Sequence, residues 1–233
     1  MNYQKLEELK KKYLDEVNFR KNIDGASVPY KYDIMVCGGT GCRSCKSKLV
    51  EDKLKEVIKN KGLDKEIAVH GVGCFGLCVN GPVVLIYPQD AMYIKVNVSD
   101  VEEIVDNLSR GELVERLLPV DDNEKVYKKT DLKFCKKQKY LARSNAEFMS
   151  LDNILGDYIA LDGYSALYKV ITSMSQEDVI KIIKDSGLRG RGGAGFLTGQ
   201  KWEFTRVVEA PQKYVICNAD EGDPGAFMDR SII

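Results

Sequence analysis

The chain has 233 residues, of which 44% are apolar and 30% charged, and its 35 Lys and Arg balance 35 Asp and Glu. With neither sign in excess, nothing points to a nucleic-acid partner or an anionic membrane surface. The opening MNYQKLEELKKKYLDEV is charged and amphipathic, unlike a signal peptide, and no apolar run approaches the roughly 20 residues that span a bilayer, so no direct membrane insertion is expected. The chain is read as soluble and cytoplasmic.

Leu6, Leu9, Tyr13 and Val17 form a helical stripe over residues 3–20. A loop with Gly25 and Pro29 precedes a strand over 32–36 that ends at a cysteine. A helix over 46–60 carries Leu49, Leu54, Val57 and Ile58 on one side, with Gly62 just past its end. Alternation predicts a strand over 66–72, and the runs 83–87 and 93–98 read as a hairpin. Ser99 and Glu102 have capping-box spacing for a helix over 101–108, closed by Gly111. The order helix, strand, helix, strand, hairpin, helix fills about 110 residues, an ordinary domain size. From 112 to 150 periodicity weakens; Pro119, DDNE and KKQK punctuate a linker, or an arm draped on a neighbour. Beyond it come a short helix over 166–171 and a helix capped by Ser175, with Val179, Ile182 and Ile183 inward and Gly187 at its end. GLRGRGGAGFLTGQKW, a strand at KYVIC and NADEGDPGAFMDRSII complete the chain. These last 80 or so residues offer too little apolar surface for a secure core of their own.

Seven cysteines, an odd number without a secretory signal, argue against a disulfide framework. Cys37 and Cys42 are spaced CxxxxC, and Cys74 and Cys78 CxxxC; each pair follows a predicted strand and sits in a glycine-rich loop, CGGTGC or GVGCFGLCVNG. Both loops should emerge at one end of the same sheet. Four thiolates suit an iron–sulfur cluster, whose sulfurs backbone amides can approach where glycines stand. Zinc competes, although structural zinc sites usually present CxxC knuckles; buried structural thiols are the third reading. Cys45 forms CxxC with Cys42 and is expected to open a helix and point elsewhere, while Cys135 and Cys217 read as packing thiols. The pattern resembles the thioredoxin-like ferredoxin that binds a 2Fe–2S cluster, found in the small flavoprotein-associated subunit of respiratory complex I and at the N-terminus of related hydrogenase subunits. The resemblance covers residues 1–115 and implies Cys37, Cys42, Cys74 and Cys78 as ligands, with no role for Cys45.

Gly190, Gly192 and Gly195 satisfy GxGxxG, but after a predicted helix rather than a strand, the wrong place for a Rossmann fingerprint. The stretch can be a phosphate cradle with Arg189, Arg191 and Lys201 as counter-charges, or a flexible loop with solvated basic residues. A strand that delivers Asn218, Asp220 and Glu221 at its C-terminal end favours a ligand site, whereas NADEGDPG is also rich in turn formers. Phe196, Trp202 and Phe204 can stack on a ring or fill a core. GLRGRGGAGFLTGQKW and CNADEGDPGAFMDR are similar to the two FMN-binding signatures of the NADH-oxidising flavoprotein subunit of complex I and its relatives among NAD-reducing and electron-bifurcating hydrogenases and formate dehydrogenases. That resemblance implies FMN contacts at Gly190, Arg191, Gly192, Gly193, Lys201, Asn218, Asp220 and Glu221, and an NADH pocket at Phe196, Phe204 and Asp223. Leu197 stands where the family usually has Pro, and Asp223 where it often has Glu.

The fold expected is therefore α/β: a thioredoxin-like ferredoxin domain over 1–115, a linker or arm over 116–150, and the start of an α/β FMN- and NADH-binding domain over 151–233. The family domain runs on for hundreds of residues, with a 4Fe–4S cluster, so the chain is read as partial. The resemblance implies hydride transfer from NADH to FMN and release of single electrons to iron–sulfur clusters, the cofactors carrying the chemistry. No side chain takes a proton-transfer role. Fusion of the two parts implies a hydrogenase catalytic subunit and a small ferredoxin-like subunit as partners. The rival reading is a ferredoxin-type electron carrier with an incomplete flavin domain.

Overall fold

The computed structural model describes residues 3–141, 143–191, 194–224 and 226. The chain divides into two compact units, Met1–Leu161 with Asp220–Ile233, and Asp162–Ala219.

In the first unit, helix α1 (Tyr3–Arg20) precedes strand β1 (Tyr32–Cys37). A short helix α2 (Thr40–Ser44) and helix α3 (Ser47–Asn60) lead to strand β2 (Ile67–Val72), which lies parallel to β1. Strands β3 (Val84–Tyr87) and β4 (Ala91–Tyr93) follow antiparallel, giving the sheet order β2-β1-β3-β4, and helix α4 (Val101–Ser109) closes the predicted series. Parallel neighbours need a crossover, which the two helices between β1 and β2 supply. Alternation along the strands separates two cores. Ile34, Val36, Val69, Val84 and Ile86 face α3 and α4, while Met35, Cys37, Val72, Leu85 and Tyr87 face the other side with Phe75, Leu77 and Cys135.

Three local expectations shift. The buried stripe of α3 is Val50, Leu54, Val57 and Ile58, at i, i+4, i+7 and i+8, and Leu49 is exposed. The second hairpin strand is Ala91–Tyr93 rather than 93–98, because pairing of Tyr93 with Val84 uses up β3 and Lys95 turns to φ +52°. The capping box is Asn97 with Asp100 around a 3-10 turn, rather than Ser99 with Glu102.

In the stretch after α4, Val114, Leu117 and Leu118 join the first core, Leu132 and Cys135 join the second, and the backbone runs along the β4 edge. Val114 N–H donates to the Tyr93 hydroxyl at 2.7 Å, Ile94 N–H to Leu117 O at 2.9 Å and Met92 N–H to Tyr127 O at 2.8 Å. These bonds cover an edge strand that would otherwise be open to pairing. Strands β5 (Val120–Asp121) and β6 (Glu124–Lys125) form a small hairpin, and helix α5 (Lys133–Lys136) buries Cys135. Helix α6 (Ile154–Ala160) packs against α1.

At that junction Arg20, 1% exposed, donates from Nε to Asp33 Oδ2 at 2.7 Å and from Nη1 to Asp157 Oδ2 at 2.9 Å and to the Phe148 carbonyl at 2.9 Å. Ser150 N–H reaches the same Asp157 oxygen at 2.7 Å.

The second unit holds α7 (Ser165–Ser173), α8 (Gln176–Asp185) and α9 (Thr198–Val207). Ser175 caps α8 as expected, its hydroxyl accepting from Asp178 N–H at 3.1 Å. Of the inward face expected of α8, Val179 and Ile183 are half-buried and Ile182 is exposed, and no side chain of α7 or α8 is fully buried. Nor is 213–217 a strand: Tyr214, Val215 and Ile216 are exposed, with no strand beside them among the described residues.

Asp157→Ala should lower the unfolding free energy by about 3–5 kcal/mol, because it leaves a buried cation short of its partner. Asp52→Ala, which removes the exposed Lys48–Asp52 pair, should stay within about 1 kcal/mol. Denaturant midpoints at unchanged slope read both, and equal losses would refute the special weight of the buried network.

Candidate functional site

Cys37 is the last residue of β1, and Cys42 lies in α2 just beyond it. Cys74 follows β2 by two residues, and Cys78 opens a 3-10 turn before β3. The parallel pairing of β1 with β2 places both loops at one sheet end. All four thiols are free of disulfides; Cys37, Cys42 and Cys74 are buried and Cys78 is half-buried. The four thiols act on one another: Cys37 on Cys42 and Cys74, and Cys78 on Cys74 and Cys42. Among the described residues no group of three or more His, Cys, Asp or Glu is placed to hold a metal ion. Four thiols delivered by two glycine-rich loops suit a two-iron cluster, which takes its thiolates as two pairs.

Glycines make the site possible. A Cβ on Gly39 would lie 2.9 Å from Cys74 Sγ, one on Gly81 2.9 Å from Cys42 Sγ, and one on Gly41 3.0 Å from Cys78 Cβ. Gly76 N–H donates to Cys74 Sγ at 3.3 Å. Backbone donors at Phe75 and Val83 likewise favour charge on Cys37 and Cys42. The Cys37 thiol is pushed up to about 11, first by its hydrogen bond with Cys42; Cys74 is raised, first by its bond with Cys37, and Cys78 by burial. Cys42 is lowered by its bond with Cys37. Ligation by thiolates would therefore expel protons. The donor type and the amide supply fit a 2Fe–2S cluster.

Cys45 is exposed at the C-terminal end of α2, rather than opening a helix. Cys135 is buried as expected; Cys217, expected to pack, is exposed because the strand that would carry it is not formed. Arg143 escaped the sequence reading. It donates from Nη2 to the Cys74 carbonyl, and its only sequence signal is its place in a basic, aperiodic stretch.

In the second unit the glycine-rich stretch folds back on itself. Gly190 N–H donates to Phe196 O at 2.9 Å, Thr198 N–H to Leu188 O at 2.9 Å, and Arg189 and Leu197 form an isolated antiparallel bridge. Arg189 Nη1 binds Gly195 O at 3.0 Å and Arg191 Nη1 binds Arg189 O at 2.9 Å, so both guanidiniums brace the loop itself. Gly192 and Gly193 lie outside the described residues. Lys201 and Phe204 stand one turn apart on α9, both exposed, and the Phe196 and Phe204 rings are 6.5 Å apart. Gly199 lets α9 meet α8, since a Cβ there would lie 2.6 Å from Lys184 N. Trp202 is exposed on α9. Asn218, also exposed, belongs to this unit, while Asp220, Glu221 and Asp223 belong to the first.

The sequence matches the family model of the thioredoxin-like [2Fe-2S] ferredoxin over residues 21–109 and that of the Nuo51 FMN-binding domain over residues 183–233. It is 53% identical to the NADP-reducing hydrogenase subunit HndC of Solidesulfovibrio fructosivorans over 98 residues, 42% of this chain and 19% of that subunit. It is 62% identical to the NAD-reducing hydrogenase HoxS subunit alpha of Cupriavidus necator over 60 residues, 26% of this chain and 10% of that subunit. The thioredoxin-like [2Fe-2S] ferredoxin of Aquifex aeolicus, a solved structure, is 31% identical over 40% of this chain and 99% of its own, with a TM-score of 0.37. The chain thus spans a fifth or less of the length of these curated relatives. No helix among the described residues is long and apolar enough to cross a membrane. Two stretches of the chain are thus matched by family, 21–109 to the thioredoxin-like [2Fe–2S] ferredoxins and 183–233 to the Nuo51 FMN-binding domain.

Proposed function

We propose that this chain is part of a cytoplasmic NADH-oxidising or NAD-reducing flavoprotein subunit that moves electrons singly between FMN and iron–sulfur clusters. Its partners would be other redox subunits, a hydrogenase catalytic subunit and a small ferredoxin-like subunit among them. The observation that carries the reading is the glycine-lined gathering of Cys37, Cys42, Cys74 and Cys78 at one sheet end, on one chain with a stretch of the FMN-binding family. Those four cysteines hold the 2Fe–2S cluster in this reading. Gly190, Arg191, Gly192, Gly193, Lys201, Asn218, Asp220 and Glu221 contact FMN, and Phe196, Phe204 and Asp223 line the NADH site. When bound, FMN supplies the exchange between two-electron and one-electron chemistry. The protein's own part is to place amides and cations where negative charge accumulates. The domains fall at 1–115 for the cluster, 116–150 for the arm and 151–233 for the flavin part.

A second reading, a ferredoxin-type carrier without flavin activity, is favoured by one observation: in Asp162–Ala219 only Gly163 and Gly199 are buried among the described residues. NADH oxidation by a dye acceptor separates the two. Activity that depends on added FMN supports the flavoprotein reading, and none at any FMN concentration supports the carrier.

The cluster assignment has its own tests on anaerobically purified protein. Iron and acid-labile sulfide should each come to about two per chain, with a 2Fe–2S EPR signal after dithionite reduction. Cys74→Ser should remove or strongly perturb that signal and Cys45→Ser should leave it; an unchanged Cys74→Ser spectrum would sink the assignment. Gly39→Ala, whose new methyl meets Cys74 Sγ, should also lose cluster content. Gly62→Ala, at φ +69° with open space around it, should cost about 1 kcal/mol of stability and keep the cluster.

A further inference from the structure

Residues 143–151 run alongside 71–76, the segment that carries Cys74. Leu151 N–H donates to Gly71 O at 2.7 Å, and Ser150 forms an antiparallel bridge with Val72. The Ala146 carbonyl stands 3.8 Å from where a Gly73 side chain would begin. Arg143 closes the site: its Nη2 donates to the Cys74 carbonyl, and its Nη1 lies 3.4 Å from the Cβ position of Gly76. Lys129 fastens the same arm from behind, its ammonium 5.9 Å from the Phe75 ring centre and paired with Glu147. Arg143 itself forms no ion pair among the described residues, and its Nε is buried with no hydrogen-bond partner. A half-buried guanidinium without a carboxylate is an uncompensated positive charge held against one side of the thiol site. Its field favours the charged form of both Cys74 and Cys78.

We propose that Arg143 is a positioning residue for the 2Fe–2S cluster: carried by the arm to the Cys74 loop, it stabilises the reduced cluster over the oxidised one, and the arm in turn is held tighter when the cluster is reduced. The proposal rests on Cys37, Cys42, Cys74 and Cys78 being the ligands. Reduction adds one electron from a one-electron donor; one iron goes from ferric to ferrous, no bond forms or breaks, and no proton is taken up. The thiolate-bound cluster becomes one unit more negative, so a nearby fixed cation attracts the reduced form more strongly. Linkage makes the effect reciprocal: whatever the arm does to the reduction equilibrium, reduction does to the docking of the arm.

The test uses the whole chain, reconstituted with iron and sulfide and titrated with dithionite under EPR and visible absorption. Arg143→Gln should keep the wild-type iron and sulfide content while its reduction equilibrium shifts about tenfold toward the oxidised form, about 59 mV more negative for one electron. Arg143→Lys, which keeps the charge, should recover most of that shift. Backbone amides of 143–151 should exchange more slowly in the reduced wild type than in the oxidised, a difference absent from Arg143→Gln. A wild-type potential in Arg143→Gln overturns the proposal, as does a lysine variant that shifts as far as glutamine. If Arg143→Gln fails to hold a cluster, the wild-type exchange data decide, and exchange independent of oxidation state overturns it. A wild type that takes up no cluster refutes the ligand assignment instead, a separate and recognisable failure.

Discussion

A guanidinium enclosed by two carboxylates ties the first unit together. Arg20 ends α1, Asp33 lies in β1 and Asp157 in α6, and the three side chains are wholly shielded from water. Burying such charges is expensive, and the return depends on near-ideal geometry. Here the guanidinium makes charge-assisted bonds to both carboxylates and a third bond to the Phe148 carbonyl, while Asp157 also accepts from Ser150 N–H. Attraction to Asp33 and Asp157 outweighs the desolvation that pulls the other way, so Arg20 is held charged. An apolar trio in the same space could be as stable, but it would not fix which groups meet. The network fixes the register of the N-terminal helix, the central strand and the end of the arm relative to one another.

That register matters because the arm does not stop at Asp157. The stretch fastened there by Phe148 and Ser150 is continuous with the stretch that borders Gly71–Gly76. One end of β1 therefore carries a buried carboxylate that anchors the arm, and the other end carries Cys37. The thiol site is shaped from within by Gly39, Gly41 and Gly81, whose missing side chains leave room for sulfur, and from outside by a segment distant in sequence. Preorganisation of this sort, with donors and cations set before an electron arrives, is what keeps reorganisation small in charge-transfer sites.

The parts that could be read from the sequence are those set by local pattern. CxxxxC and CxxxC behind two strand-like runs were enough to place four thiols at one sheet end, and the element order held through α4. Errors of a residue or two came where neighbouring positions compete: Val50 and Leu49 are both apolar, and only packing against the sheet chooses Val50. The choice of Asn97 over Ser99 as cap was likewise open, since both are good caps with an acid three positions on. Arg20 gave no signal, because an arginine at the end of a charged helix is ordinarily solvated. Arg143 was hidden similarly in an aperiodic stretch, and its bond to the Cys74 carbonyl spans 69 positions of sequence.

The flavin part differs from the cluster part in what positions its residues. The thiols sit at and just beyond the ends of strands that already have partners, and all four lie inside one unit. Lys213–Cys217 has the β-branched, apolar character of a strand, yet a strand is stable only against a neighbour, and Tyr214, Val215 and Ile216 stand exposed with none beside them among the described residues. Asn218 directly follows this segment, so its placement depends on that pairing rather than on local sequence. The glycine-rich loop is different again: its bridge between Arg189 and Leu197 and the seating of Gly199 on α8 are local and already made. The loop's form is thus set by contacts within Leu188–Gly199 and α8, whereas the segment that carries Asn218 depends on a strand neighbour from elsewhere.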